Sequence, residues 1–440
     1  MKFSPIFALF LILLMQFNTL LAQSPSELSA LWEKHHIIGI APSDLRHADL
    51  KKYLEQLKAL GLKVEEVGKS YAGREIYQLE WGKGATKVFM WSQMHGDEPT
   101  ATVAVIDMLA FLQKNRDLKW VRELENSLTL RIVPMLNPDG AELYQRRNLQ
   151  SIDINRDARA LQTPEGRLLK KLRDDWQPDL GFNLHNQNGL TTAGKTANQS
   201  AISLLAVSGD PQGKSDAKHI RSKRICAVMI AALNEFIKGH IARYDDSYNP
   251  RAFGDMISAW GTPVILVETG LLHGKDEMFL TKMNFVAYLA ALKSVVDKSE
   301  QRADPKVYDS LPFNDDGNIY NVIFRNANIV NFSKSGEPFT ADVAVNFERR
   351  RASQTVTGYV SDVGDLSIYA GLDEYDAGNF YLAVKPGLLR NGSPGEFFFY
   401  KKSRKINRNA KDFEKTFPPD AVFRNGRWIT GEKLLPKIKK

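Results

Sequence analysis

The sequence predicts an α/β fold, a mixed, largely parallel sheet flanked by helices, followed by a small all-β domain. Three observations predict it. Strand-like apolar runs alternate with segments of helical periodicity between residues 47 and 297. The composition then turns polar, with proline and glycine, across KSEQRADPKVYDSLPFNDDGN at 298–318. Beyond that stretch come short alternating runs such as NVIFRNANIV, TVTGYV and FYLAVKPGL. Strands alternating with helices favour a covered, largely parallel sheet, whereas closely spaced alternating runs favour an all-β unit. These shifts divide the chain into a leader at 1–22, a first domain at 23–300, a linker at 301–314 and a β-rich accessory domain at 315–440.

In chain order, Lys2 supplies a short positive start and Ile6 to Met15 an apolar run of signal-peptide length. Small Ala22 then precedes a cut at Gln23. The weaker apolar continuation from Phe17 to Leu21 keeps an uncleaved anchor open as the alternative. No later stretch reads as apolar for the roughly 18 residues that a membrane span needs, so the mature chain is expected outside the cytoplasm, periplasmic or extracellular, with no membrane span. Residues 47–60 repeat apolar positions at helical spacing and stop at Gly61. Strands are expected at Ile76 to Trp81, Lys87 to Trp91, Leu128 to Leu136, Leu180 to Leu184 and Pro263 to Val267. Pro99 opens an apolar helix, since proline is well tolerated in a first turn. Further helices are expected at about 164–176, 216–238 and 277–297.

The chain has 440 residues, 43% hydrophobic and 25% charged, an ordinary balance for a folded protein with a sizeable core. Its net charge of +8 is spread widely. No basic and aromatic motif of a nucleic-acid module accompanies it, so the basic residues are read as solvated surface and no nucleic-acid partner is expected. Cys226 is the one cysteine. An internal disulfide is therefore excluded, and its apolar helical setting from Ile225 to Phe236 points to a buried, inert thiol.

The chemistry concentrates where apolar strands stop. His95 and Glu98 lie three residues apart at a strand-to-helix junction, which brings an imidazole and a carboxylate to one side of a turn, as a tetrahedral zinc site requires. A lone H-x-x-E is common by chance and reads equally as a surface His beside a capping Glu. Context changes that reading. Asn137 follows LRIVPML, His185 follows LGFNL and Glu268 ends VILVE, and open α/β sheets bind ligands outside the carboxyl ends of their strands. Two His and one Glu leave one zinc position open, the arrangement of a catalytic site. Glu268 is then the candidate general base for a zinc-bound water, or otherwise a satisfied structural carboxylate.

Taken together, His95-Gly96-Asp97-Glu98, Asn137-Pro138-Asp139-Gly140, Asp153-Ile154-Asn155-Arg156-Asp157, Leu184-His185 and Val267-Glu268 resemble the carboxypeptidase A-like zinc metallocarboxypeptidases in order and context. Upstream, Gly68-Lys69-Ser70 and Gly73-Arg74 are similar to that family's start, and the resemblance covers about residues 45–295. It implies a metallocarboxypeptidase-like sheet and one Zn2+ per chain on His95, Glu98 and His185. It implies Glu268 as general base, with Asn155 and Arg156 holding the substrate's C-terminal carboxylate, for which a guanidinium offers a planar fork. It also implies an arginine that stabilises the oxyanion, Arg146 or its neighbour Arg147. Asp139 is read as structural or supporting. The family's mobile substrate-binding tyrosine has two candidates, Tyr244 and Tyr248. Asp255, in the same stretch, would favour a basic side chain or the amine of a cell-wall diamino acid, or simply cap a turn after Gly254. The implied partner is a peptide or peptidoglycan stem with a free C-terminal carboxylate. A zinc amidase or deacylase of small N-acyl amino acids, or an inactive peptide-binding relative, is the alternative. The C-terminal region is faintly similar to the small β-sandwich that flanks the barrel of amidohydrolases; it contains no histidine and is expected to be non-catalytic.

Overall fold

Strands that are apolar on both sides demand cover on both faces of their sheet, and here helices supply it. The computed structural model describes residues 23–331, 337–349, 355–384, 388–405, 407 and 413–438; the expected leader at 1–22 lies outside them. Helices α1 (Pro25–His35) and α2 (His47–Ala59) precede strands β1 (Lys63–Lys69), β2 (Glu75–Gly82) and β3 (Thr86–Ser92). Next come α3 (Thr100–Lys114), α4 (Lys119–Ser127), β4 (Leu128–Val133), a short helix at Pro138–Leu143, α5 (Pro164–Trp176) and β5 (Leu180–Asn186). The unit continues through β6 (Thr192–Ala193), β7 (Ile202–Val207), α6 (Ala217–Ile237), β8 (Ile241–Arg243), α7 (Phe253–Ala259), β9 (Val264–Thr269) and α8 (Glu277–Val296).

The main sheet runs β1-β2-β4-β3-β5-β9-β7-β8. Its centre, β4-β3-β5-β9, is parallel, while β1, β2 and β7 join antiparallel. The sheet is therefore mixed around a parallel centre. Alternation along β3 sends Val88 and Met90 into the layer formed by α1, α2, α3, α6 and α8. Phe89 and Trp91 face the opposite layer, under Leu169 of α5 and Phe253 and Ile257 of α7. Each fully buried side chain of this size stabilises the fold by roughly 1.5–3 kcal/mol.

The strands also show where periodicity misleads. The run expected as one strand to Leu136 ends at Val133, because Leu136 and Asn137 turn to donate backbone hydrogen bonds to Ser92 and Gln93. Helix α8 corrects another expectation. By length and composition it is apolar enough to cross a membrane, yet it is mostly buried inside the fold, as a core helix is.

Residues 301–314 are structured rather than loosely connecting. The buried Tyr308 hydroxyl accepts a hydrogen bond from Ala206 N at 3.2 Å. Strand β10 (Asn314–Asp315) then pairs antiparallel with β6. The remaining strands are β11 (Ile319–Val330), β12 (Phe339–Arg349), β13 (Val356–Gly364), β14 (Ala370–Asp376), β15 (Phe380–Val384), β16 (Glu396–Lys401), β17 (Ala421–Arg424) and β18 (Arg427–Thr430). They form one sheet, β13-β12-β11-β15-β16-β17-β18, with β14 paired to β11. Its core centres on Phe324, whose ring lies 5.1 Å from Phe399 and 5.2 Å from Phe423.

Candidate active site

The carboxyl ends of β3, β5 and β9 meet at one edge of the sheet, and the register sets His185 beside Glu268. After β3 the backbone turns through Gln93 at φ 49°, a left-handed conformation that lifts Met94 and His95 out of the strand line. Thr102 and Gly96 hold the Gln93 side chain in that turn. A Cβ on Gly96 would lie 1.9 Å from the Gly140 carbonyl carbon, so the His95 loop rests directly on the short helix 138–143. Asn137 clasps the two, accepting from Gly140 N at 2.8 Å and donating to Met94 O at 3.2 Å. The buried Asp139 accepts from Ser70 Oγ, Ala72 N and Arg74 Nη1, which joins the 68–74 motif to this turn.

His95, Glu98 and His185 are all buried, and each offers one ligand atom to a common point. His95 Nδ1 lies 2.7 Å from Glu98 Oε1, His185 Nδ1 lies 2.7 Å from Glu98 Oε2, and the two Nδ1 atoms are 3.2 Å apart. Tetrahedral zinc with ligand bonds near 2.0–2.1 Å separates its ligand atoms by ~3.3 Å, so the three side chains fit that ion. The chemistry fits as well. Asp153 Oδ1, 3.1 Å from His95 Nε2, is placed to accept a hydrogen bond from an N–H there, the tautomer that leaves the Nδ1 lone pair for a cation. Two imidazole nitrogens and a buried carboxylate converging on one another form a donor set suited to a cation.

Electrostatics follow from the same crowding. Burial, then the Glu98 charge, push the Glu268 carboxyl well above the usual range, and its buried Oε2 has no hydrogen-bond partner among the described residues. Despite burial, the two histidines hold Glu98 far below it. Arg146 donates through Nε to Asp153 Oδ2 at 3.0 Å and through Nη1 to Glu98 Oε1 at 3.2 Å.

These groups open into a cleft of about 330 Å³ whose lining includes Arg146, Asn155, Arg156, Tyr244, Asp255 and Glu268. Asn155 is fixed by the bond from Phe253 N to its Oδ1 at 2.9 Å. Arg156 donates to the Asn155 carbonyl at 2.7 Å. Burial pushes Asp255 up to about 6.

A model of the family described as zinc carboxypeptidase matches residues 50–284, more than half of the chain. The chain belongs to that family. It is 30% identical over 112 residues to probable carboxypeptidase 2 of Arthroderma benhamiae, a match covering 25% of this chain and 20% of that protein. It is also 30% identical over 129 residues to carboxypeptidase D of Drosophila melanogaster, covering 25% of this chain and 9% of that one. Matches to these curated relatives thus span a fifth of their length or less. Among solved structures, a metallo-carboxypeptidase from Burkholderia cenocepacia is similar at a TM-score of 0.48 and 17% identity, covering 57% of this chain and 69% of that one.

Within this carboxypeptidase frame, two alternatives left open by spacing separate. Arg146 reaches the ligand cluster, whereas Arg147 points away and donates to Ser151 O at 3.0 Å. Tyr244 lines the cleft, and its hydroxyl is driven to higher pKa first by the Glu268 charge. Tyr248 is not a lining residue; its hydroxyl lies 3.6 Å from the Met256 sulfur. Adjacent side chains diverge along a backbone, so spacing alone could not choose between Arg146 and Arg147. Sequence reasoning missed the role of Asp153, which was only a landmark in a motif. It also missed Asn314 and Asp316, which reach the cleft from the start of the β-rich region.

Proposed function

We propose that this chain is an exported zinc-dependent carboxypeptidase that hydrolyses the C-terminal peptide bond of peptides, proteins or cell-wall stem peptides. One observation carries the reading: His95 and Glu98 of a ligand set completed by His185, a buried carboxylate at Glu268 and an Asn-Arg pair line a single cleft. Export rests on the leader pattern of residues 1–22.

Zinc, when bound by His95, Glu98 and His185, supplies Lewis acidity that makes a water acidic and polarises a carbonyl. Arg156, with Asn155 beside it, binds the substrate's terminal carboxylate through a charge-assisted fork and so sets the register of the scissile bond. Glu268 takes the proton of the attacking water and passes it to the leaving amine, a role suited to a carboxyl whose proton affinity is raised by burial. Arg146, anchored by Asp153 and Glu98, meets the negative charge that develops on the carbonyl oxygen. Asp255 selects a basic terminal side chain, because a cation there relieves the cost of a buried charge. Tyr244 closes the cleft over the substrate.

The test is mass spectrometry of a mixed peptide library incubated with purified protein, with and without a zinc chelator. Chelator-sensitive loss of single C-terminal residues, Lys and Arg foremost, is the expected result. Internal cleavage, or intact peptides with zinc bound, would overturn it.

A further inference from the structure

The catalytic cleft does not end at the ligand cluster. Beside it lies a second cavity of about 410 Å³, whose lining includes none of Asn155, Arg156, Tyr244 and Asp255. Asn186 and Gln187 line both. Asn186 is also the physical hinge between them, donating from its backbone N to Glu98 Oε2 at 3.1 Å and from Nδ2 to Thr100 Oγ1 at 2.7 Å. Asp97, Pro99 and Thr100, the immediate neighbours of Glu98, form part of this second floor.

Its opposite wall belongs to the β-rich domain. Phe347 and Val356 of that domain line the groove together with Leu271 and Tyr144 of the first. The wall is held in place rather than resting loosely. Arg349 pairs with Asp44 at 2.6 Å and lies over the Tyr144 ring at 4.8 Å, while Arg46 lies over the same ring at 5.4 Å. Leu271 and Val356 are 49% and 43% exposed, large apolar side chains bordering one trough.

We propose that this groove is a binding site for an apolar side chain upstream of the scissile bond, with the β-rich domain as its second wall. The inference rests on the carboxypeptidase reading above. A peptide whose terminal carboxylate sits at Arg156 and whose scissile carbonyl sits at the ligand cluster must continue upstream, and the groove that adjoins the cleft through Asn186 and Gln187, away from the Asn155, Arg156 and Asp255 lining, offers that path. Its occupant is therefore the same polypeptide substrate. Although Asp97, Glu277, Glu348 and Arg349 also line it, Leu271, Phe347 and Val356 favour a leucine- or phenylalanine-like residue, because burying an aliphatic or aromatic side chain against them is favourable. The substrate class is thereby an extended polypeptide tail rather than a dipeptide or a short acylated amino acid.

The experiment uses full-length, zinc-loaded Glu268→Gln protein, so that binding is read without turnover. Calorimetric titration compares a tripeptide with two octapeptides that share its three terminal residues, one carrying leucine and phenylalanine upstream and one carrying only glycine there. The apolar octapeptide is expected to bind about tenfold tighter than either of the others. A Leu271→Gln, Val356→Gln double substitution at two exposed positions is expected to abolish that gain and leave tripeptide affinity unchanged. Equal affinity for all three peptides, or a gain that survives the double substitution, overturns the groove as a subsite. If wild-type protein removes the tripeptide's last residue while the octapeptides bind no better, the groove assignment alone falls. If the tripeptide is neither bound nor cleaved, the carboxypeptidase reading falls with it.

Discussion

Glu268 sits at the end of a buried strand, with one carboxylate oxygen lacking a hydrogen-bond partner among the described residues. Stability alone does not favour an orphaned buried oxygen, which costs of order 1–3 kcal/mol. The Glu268→Gln variant is expected to keep its zinc content, since Glu268 is outside the ligand set, and to lose about 10²–10⁴-fold in kcat. Metal analysis beside steady-state kinetics checks this, and activity within tenfold of wild type would remove Glu268 from the mechanism. Asp255 gives a pH signature. Burial pushes it up to about 6, so it is neutral below that value and anionic above it. Preference for Lys-terminated over Ala-terminated peptides, read as a ratio of kcat/KM, should therefore rise from pH 5 to 7.5. In Asp255→Asn the ratio should be low and flat. A wild-type ratio that does not change with pH would show that Asp255 does not read the side chain. At this scale His95, His185 and Glu268 stood out in the sequence because each lies at or just past the end of an apolar run, and Glu98 because it follows His95 by three residues. Asp153 was not, because a carboxylate that orients a ligand through one hydrogen bond carries no spacing of its own.

The elements were legible where burial imposed a pattern. Strands β3, β5 and β9 are apolar on both faces, and their runs stand out from the flanking polar chain. Strand β1, KVEEVGK, lies at the sheet edge with most residues exposed or half-exposed, so nothing in its hydropathy distinguished it from a loop. Strand β8 has only three residues and was equally silent. The turn after β3 was readable as a junction but not as a packing constraint. Gly96 is required there by the Gly140 backbone, a contact between segments more than forty positions apart. Gly96→Ala is expected to force the His95 loop away from the helix at 138–143, at a cost of about 1–3 kcal/mol. Thermal denaturation together with a competitive chelator titration reads both consequences, a lowered Tm and weaker metal retention. Wild-type values in both would mean that the two backbones are free to separate.

Across the whole molecule, two sheets with separate cores are tied through the segment that composition had marked as a linker. Polar, proline-containing chain reads as a connector because its own side chains cannot build a core, yet here Tyr308 inserts into the core of the first unit. Backbone pairing then continues the connection, with Asn314 opposite Ala193 and Asp315 opposite Thr192. Thr191 donates to Asp316 at 2.7 Å, Arg349 pairs with Asp44, and His273 Nε2 lies 3.4 Å from Asp373. Exposed ion pairs add little individually, so the coupling rests on the buried tyrosine and the strand pair. Units joined in this way should unfold together, although chains with two cores commonly do not. Scanning calorimetry of the full chain is therefore expected to give a single transition. If zinc binds the folded state through His95, Glu98 and His185, as proposed, and not the unfolded chain, a free concentration a hundredfold above Kd would add about 2.7 kcal/mol. That stabilisation should raise the single transition as a whole, and a chelator should lower it. Two separated transitions, of which zinc moves only one, would mean that the β-rich domain unfolds independently of the catalytic unit.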